Sequence, residues 1–277
     1  MYDSYLETTG GFWGLSAATE GGKYGSLHVQ LGNWTENLSI VIINRRYFEV
    51  NNFENYVDEN KISFHLNVQW FHLNGTLVNN HDTIIDSDKL MGKSVYLVQD
   101  LLGKFKFPGD ATKCCTTLYL RMKLNIESKS LRIDSNNNDR RSISSQTLAS
   151  FNDYWISNPA MVQSYTDLDN IRNDKKNLVH LQVSCIGTVQ DDNSFNIMVT
   201  NPKNSIALAI RLRVVLQNEE DTLKLPYVYS KQYFTLLPNE SNAIVVTKRG
   251  MTTSNQNGYQ IEVEGWNVVK HVYACET

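Results

Sequence analysis

Along much of the chain apolar and polar residues alternate with a period of two. Ile62–Trp70 (ISFHLNVQW) alternates without a slip, which predicts a half-buried strand with Trp70 on its core side. The run continues through Phe71, His72 and Leu73 into Asn74-Gly75, the strongest short hairpin signal, and then Thr76-Leu77-Val78. Leu118–Leu124 (LYLRMKL) alternates in the same way, Ser194–Thr200 is mixed, and Ile206–Leu216 is a longer apolar strand. Tyr259–Gly265 closes the series, and helical periodicity is confined to a turn or two near Asp3–Leu6 and Asp167–Arg172. Strands joined by turns with no intervening helices predict an all-β protein of antiparallel sandwiches, not βαβ units.

A chain of 277 residues fits two such domains. Two stretches interrupt the pattern. Residues 127–147, with the polar core DSNNNDRR, read as a long surface loop, and residues 158–177 read as an inter-domain linker. The expected organisation is therefore a first antiparallel sandwich over 23–157 and a second over 178–277, which the resemblance given below makes immunoglobulin-like. Hydrophobic residues make up 41 % of the chain and aromatics 10 %, enough to fill two cores. The net charge of −3 gives no reason to expect nucleic acid or an anionic membrane as partner, and no apolar stretch is long enough to span a bilayer. The first residues lack the basic start and apolar run of a signal peptide, although the resemblance described below makes that start internal.

Candidate chemistry is sparse. Glycosidic hydrolysis normally needs two facing carboxylates on a rigid scaffold. Glu54, Asp58, Glu59, Asp191, Asp192, Glu219, Glu220 and Asp221 read as solvated loop residues, and Glu262 and Glu264 as outward-facing strand residues. The six histidines are dispersed. His28 and His65 fall on the polar phase of their strands, which predicts solvent-facing or cross-strand roles. No His-Glu-x-x-His, phosphate-cradling Gly loop or Gly-x-Ser-x-Gly is present, so no catalytic residue, metal site or cofactor is expected. The four cysteines (Cys114, Cys115, Cys185 and Cys275) lack ligand spacing and make a poor disulfide framework, so free thiols are expected. Trp13, Trp34, Trp155 and Trp266 are candidates for stacking on sugars, Trp266 foremost, against the commoner role of packing. Asn33, Asn37, Asn74 and Asn239 open N-glycosylation sequons, which permit a secretory or lysosomal route without establishing one.

Ordered words in the sequence carry a resemblance. Tyr2–Gly14 (YDSYLETTGGFWG) with Leu27–Leu31 (LHVQL), Asp153–Ser157 (DYWIS), Ile210–Val214 (IRLRV) with Leu225–Ser241 (LPYVYSKQYFTLLPNES), and Glu262–Asn267 (EVEGWN) follow one another along nearly the whole chain. Together they resemble the C-terminal region of glycoside hydrolase family two, closest to its exo-β-D-glucosaminidase and plant endo-β-mannosidase branch. Tyr2, Gly14, His28, Trp155, Tyr233 and Trp266 are the structural positions that this resemblance marks. The chain departs from the pattern in the insertion Gly21–Ser26 (GGKYGS), in Leu15-Ser16 where basic residues are common, and in Lys231-Gln232 where an Asp-Asn pair is common.

The resemblance implies that residues 1–22 are the end of a catalytic barrel and its linker, with the true N-terminus missing. It also implies that the barrel, about 250 residues of alternating strands and helices, lies upstream with the catalytic carboxylates. The chain is then the non-catalytic sandwich tail of a retaining hydrolase of β-linked glucosamine or mannose. The resemblance leaves the compartment open, a secreted, lysosomal or vacuolar parent being compatible with it; the barrel is the partner of these sandwiches, and the chain alone is expected to be inactive. The rivals are a carbohydrate-binding module and an adhesion-type immunoglobulin-like pair.

Overall fold

A computed structural model of the chain describes residues 27–31, 39–44, 62–86, 90, 95–98, 117–133, 140–157, 166–188, 194–216, 219–223, 227–248 and 259–275. The remnant expected over 1–22 lies outside them. The described part is nearly all β: four antiparallel sheets and one short helix, arranged as two consecutive immunoglobulin-like sandwiches. Contacts divide the described residues into two units, one of residues up to His72 with Leu77–Ser164 and the other of Leu73–Thr76 with Tyr165–Thr277.

In the first sandwich, β1 (Leu27–Leu31), β2 (Ile40–Asn44) and β5 (Val95–Val98) form a sheet in the order β1-β2-β5. The strands β3 (Ile62–His72), β4 (Leu77–Asp86), β6 (Thr117–Ile133) and β7 (Arg140–Ser157) form the other, ordered β4-β3-β6-β7. Alternation explains the division of faces. Phe64, Leu66, Val68 and Trp70 of β3, with Leu118, Leu120, Met122 and Leu124 of β6, pack on Leu27, Val29, Ile40, Ile42 and Val98. Each such side chain contributes roughly 1.5–3 kcal/mol by leaving water. The Asn74-Gly75 turn joins β3 to β4 as the sequence predicts, with Gly75 at φ 88° and the Asn74 side-chain oxygen accepting from the Thr76 amide at 3.0 Å.

The outer edge of β1 needs partners that no strand among the described residues provides. Side chains of β7 supply them. The Val29 amide donates to Ser150 Oγ at 3.0 Å, and the Leu31 amide donates to the Tyr154 hydroxyl at 3.3 Å. Asn152 Nδ2 donates to the Val29 carbonyl at 3.2 Å and to the Tyr154 hydroxyl at 2.8 Å. Residues 150, 152 and 154 share one face of their strand, so a single period-two pattern stitches the two sheets together.

Two expectations fail here. The stretch 127–147 is not a loop for most of its length. Residues 127–133 and 140–147 extend β6 and β7 as a paired ribbon, in register from Glu127 opposite Gln146 to Ile133 opposite Arg140. A backbone ladder needs only paired amides and carbonyls, and polar side chains on both faces do not prevent it. His28, expected in a solvent-facing or cross-strand role, does not face solvent: it is buried at 2 % exposure.

The second sandwich begins with helix α1 (Thr166–Asn173), whose Asp167 and Asp169 sit in the first turn and Arg172 in the last, matching the helix dipole. Its Leu168 and Ile171, one turn apart, form the buried face. One sheet runs β12 (Tyr227–Tyr229), β14 (Ser241–Lys248), β9 (Ser194–Thr200), β8 (Gln182–Thr188). The other runs β11 (Glu219–Leu223), β10 (Ala207–Leu216), β15 (Tyr259–Glu264), β16 (His271–Cys275), with β13 (Phe234–Leu236) also paired to β10. Ile197, Val199, Leu212, Val214, Ile244, Val246, Ile261 and Val263 fill the core.

The thiol expectation is also overturned. Cys185 of β8 and Cys275 of β16 form a disulfide with their Cα atoms 5.6 Å apart. It joins the edge strands of the two sheets. With the partners 90 positions apart, spacing along the chain gives no hint of the pairing, since folding alone brings the two edges together. On the chain-entropy model such a link contributes roughly 4–5 kcal/mol.

Strand β10 changes partners partway. Ala207 and Ile210 pair with β13, then Arg211–Leu216 pair with β15, and the register shift between them carries Ala209 at φ 51°. The fully buried Asn267 secures this kink. Its Oδ1 accepts from the Leu208 amide at 2.9 Å, while Nδ2 donates to the Ile206 carbonyl at 2.7 Å and to the Asn177 carbonyl at 3.0 Å. Gly265 permits the approach, since a Cβ there would lie 2.7 Å from the Leu208 carbonyl oxygen. Asn267→Ala should strand two buried backbone groups and a part-buried third, and a loss of about 3 kcal/mol is expected in urea unfolding of the chain.

Candidate functional site

The EVEGWN word occupies the end of β15 and the turn after it, and it collects most of the polar chemistry of the second sandwich. Trp266 is 36 % exposed. Its indole Nε1 donates to the Leu168 carbonyl of α1 at 2.8 Å, and the Arg172 guanidinium lies 5.1 Å from its ring centroid. One donor and one ring face of Trp266 are thus spent on holding the helix to the sandwich.

Glu262 and Glu264 sit on the same face of β15, opposite Arg213 and Arg211 of β10. Arg211 Nη1 donates to Glu264 at 3.2 Å, Arg213 Nη1 to Glu262 at 3.2 Å, and Lys270 Nζ approaches Glu262 to 2.7 Å. Glu262 is only 2 % exposed, which corrects its expected outward position: the opposing cations cover it. The two carboxylates are parts of a cross-strand charge ladder. Glu219, Glu220 and Asp221, expected in a loop, belong to the edge strand β11. Glu54, Asp58, Glu59, Asp191 and Asp192 lie outside the described residues.

On the outer face of the first sandwich the structure assembles a group that sequence reading missed. His65 Nε2 is 2.5 Å from Glu127 Oε2, and Ser63 Oγ lies 3.5 Å from both. The residue types are those of a nucleophile, base and orienting acid. The geometry is not. A relay needs the hydroxyl and the carboxylate on different ring nitrogens, whereas here both address Nε2. His65 takes the cross-strand role instead. Beside it, Asn67 Nδ2 donates to Asn80 at 2.8 Å and to Asp82 at 2.5 Å, and Asn80 donates to Asp82 at 3.1 Å. Each strand contributes only every second residue to that face, so nothing in linear spacing announces these clusters.

A further cluster involves the DYWIS word. Tyr119 donates its hydroxyl to Asp153, and Arg121 Nη2 donates to the Tyr119 oxygen at 3.3 Å. The Arg121 guanidinium lies 5.2 Å from the Phe151 ring centroid and 5.6 Å from that of Tyr119. Burial, with the Asp153 charge added, pushes the Tyr119 hydroxyl well above the ordinary tyrosine range. Trp155 is half-buried opposite Tyr119.

Tyr233 sits at φ 52° between β12 and β13, half-buried. Its neighbour Gln232 is buried and works as a one-residue strand: Oε1 accepts from the Leu212 amide at 2.8 Å and Nε2 donates to the Leu212 carbonyl at 2.6 Å. The Val214 amide donates to the Tyr229 hydroxyl at 2.9 Å. Burial pushes that hydroxyl up to about 12. The Gln232 departure from the family pattern therefore falls on a position that packs against β10. Tyr2, Gly14, Trp13, Trp34, Asn33 and Asn37 lie outside the described residues. Among the described residues no group of three or more His, Cys, Asp or Glu side chains is placed to hold a metal ion, and no helix is long and apolar enough to cross a membrane.

Residues 155–268 match the family model of the exo-β-D-glucosaminidase Ig-fold domain. Among solved structures, the chain is similar to the exo-chitosanase CsxA of Amycolatopsis orientalis, at 16 % identity and a TM-score of 0.61, over 99 % of this chain and 29 % of that one. A β-D-mannosidase from Dictyoglomus thermophilum aligns at 13 % identity and a TM-score of 0.45, over 97 % of this chain and 24 % of that one, too loosely to carry an argument. The chain thus spans less than a third of the length of either. No curated protein matches the sequence. The family match and the shared fold support the likeness to the C-terminal region of glycoside hydrolase family two.

Tyr229 offers a pH test of the packing against β10. A folded-state value raised above the ordinary 10 means that the neutral hydroxyl is favoured by folding. Its contribution is complete below pH 10 and is lost as pH climbs towards 12. Tyr229→Phe should cost about 1–2 kcal/mol at neutral pH by orphaning the Val214 amide. In urea titrations at several pH values, the gap between wild type and variant should narrow from pH 10 upward.

Proposed function

With an exo-β-D-glucosaminidase Ig-fold domain in its residues 155–268, we propose that this chain is the non-catalytic C-terminal sandwich portion of a larger glycoside hydrolase. The parent enzyme is a retaining hydrolase of β-linked glucosamine or mannose. Its barrel carries the paired carboxylates, and the sandwiches stabilise that barrel or shape its rim.

The family match over 155–268 is the observation that carries this reading. The side-chain geometry agrees with it. Retaining hydrolysis needs one carboxylate free to attack an anomeric carbon and a second able to give up a proton, roughly 5–5.5 Å apart. Glu262 and Glu264 instead face guanidinium groups, and Glu127 faces His65. Each is already occupied in the pairing that builds its sheet.

Purified chain incubated with aryl β-D-glucosaminide and aryl β-D-mannoside should release no aryl alcohol above the blank. Turnover that survives repurification would contradict the proposal. Joined to the barrel encoded upstream of it, the chain should raise the thermal stability of that barrel.

A further inference from the structure

The sequons remain outside the proposed role, and one of them stands in a setting built for modification. Asn239-Glu240-Ser241 begins in the turn between β13 and β14. Leu237, Pro238, Asn239 and Glu240 form a β-turn in which the Glu240 amide donates to the Leu237 carbonyl at 3.1 Å. Pro238 stands at the second position and Asn239 at the third, with Asn239 at φ 61°, as a type II turn requires. Both ends of the turn are pinned: the Asn239 amide donates to the Asn201 carbonyl at 2.8 Å, and Glu240 Oε2 accepts from the Leu237 amide at 2.9 Å. Asn201, fully buried, holds the base by donating to the Leu236 and Leu237 carbonyls, each at 3.2 Å. Asn239 and Ser241 are exposed on this rigid tip.

Turn chemistry alone accounts for an asparagine at positive φ. It does not involve the Ser241 hydroxyl, which sits two residues later on β14 and shares a hydrogen bond with Thr200 Oγ1 at 2.8 Å. The Cys185–Cys275 disulfide is the second, independent observation, because a structural cystine of this kind belongs to an oxidising compartment, where N-linked glycosylation takes place. We propose that Asn239 carries an N-linked oligosaccharide. The donor is a lipid-pyrophosphate-linked oligosaccharide. Asn239 Nδ2 forms a C–N bond to the anomeric carbon of its reducing-end sugar, the bond from that carbon to the pyrophosphate oxygen breaks, the lipid pyrophosphate leaves with the electron pair, and the amide proton passes to a base of the transferase. The glycan projects from the β13–β14 turn of the second sandwich.

The full chain, expressed behind a secretory leader in eukaryotic cells and purified from cells and medium together, tests this directly. Peptide N-glycosidase should convert Asn239 to Asp in the tryptic peptide that contains it. Ser241→Ala, which leaves Asn239 in its turn, should abolish that conversion and lower the intact mass by one glycan while the Cys185–Cys275 cystine still forms. Chain that carries the cystine but has Asn239 unmodified would overturn the proposal, as would conversion at Asn239 that persists in Ser241→Ala.

Discussion

Both sandwiches depend on one constraint: every backbone amide and carbonyl buried where a strand leaves its sheet needs a partner, and side chains supply it. At β1 the partners are Ser150, Asn152 and Tyr154. At the kink of β10 they are Asn267, Gln232 and Tyr229. Without them the apolar cores could still collapse, but the edges facing those cores would hold unpaired polar groups costing about 1–3 kcal/mol each. The apolar pattern makes the sheets, and these amides and hydroxyls fix how each pair of sheets closes.

The same constraint explains why the residues of EVEGWN work as a unit. Its two glutamates pair with arginines across the sheet, its glycine admits the Leu208 carbonyl, its tryptophan clamps α1, and its asparagine secures the kink. With Val263 in the core, all six of its residues have packing tasks. Chemistry at this corner is thus structural chemistry, which suits a domain that positions something else.

Period-two alternation made most strands legible, because one wrong phase would place a polar side chain in a core. Ile62–Trp70 became β3 with Trp70 buried, and the Asn74-Gly75 turn fell where its glycine allowed positive φ. Four features were not legible, each for a physical reason. The ribbon over 127–147 is held by backbone pairing, to which side-chain polarity is nearly blind. Cys185 and Cys275 lie on edge strands of two different sheets, and His28 is buried although it falls on the polar phase of its strand. The clusters around His65 and Tyr119 depend on strand register across the sheet, and register is invisible along a single strand.

Residue-resolved hydrogen exchange of the native chain tests the central claim most directly. The Val29, Leu31, Leu208, Leu212 and Val214 amides have side-chain acceptors in place of strand partners. The account predicts that all five exchange as slowly as ladder amides in the middle of β3 and β15, opening only with their own sandwich. Exchange at rates typical of free edge amides, with the ladder amides still protected, would contradict it.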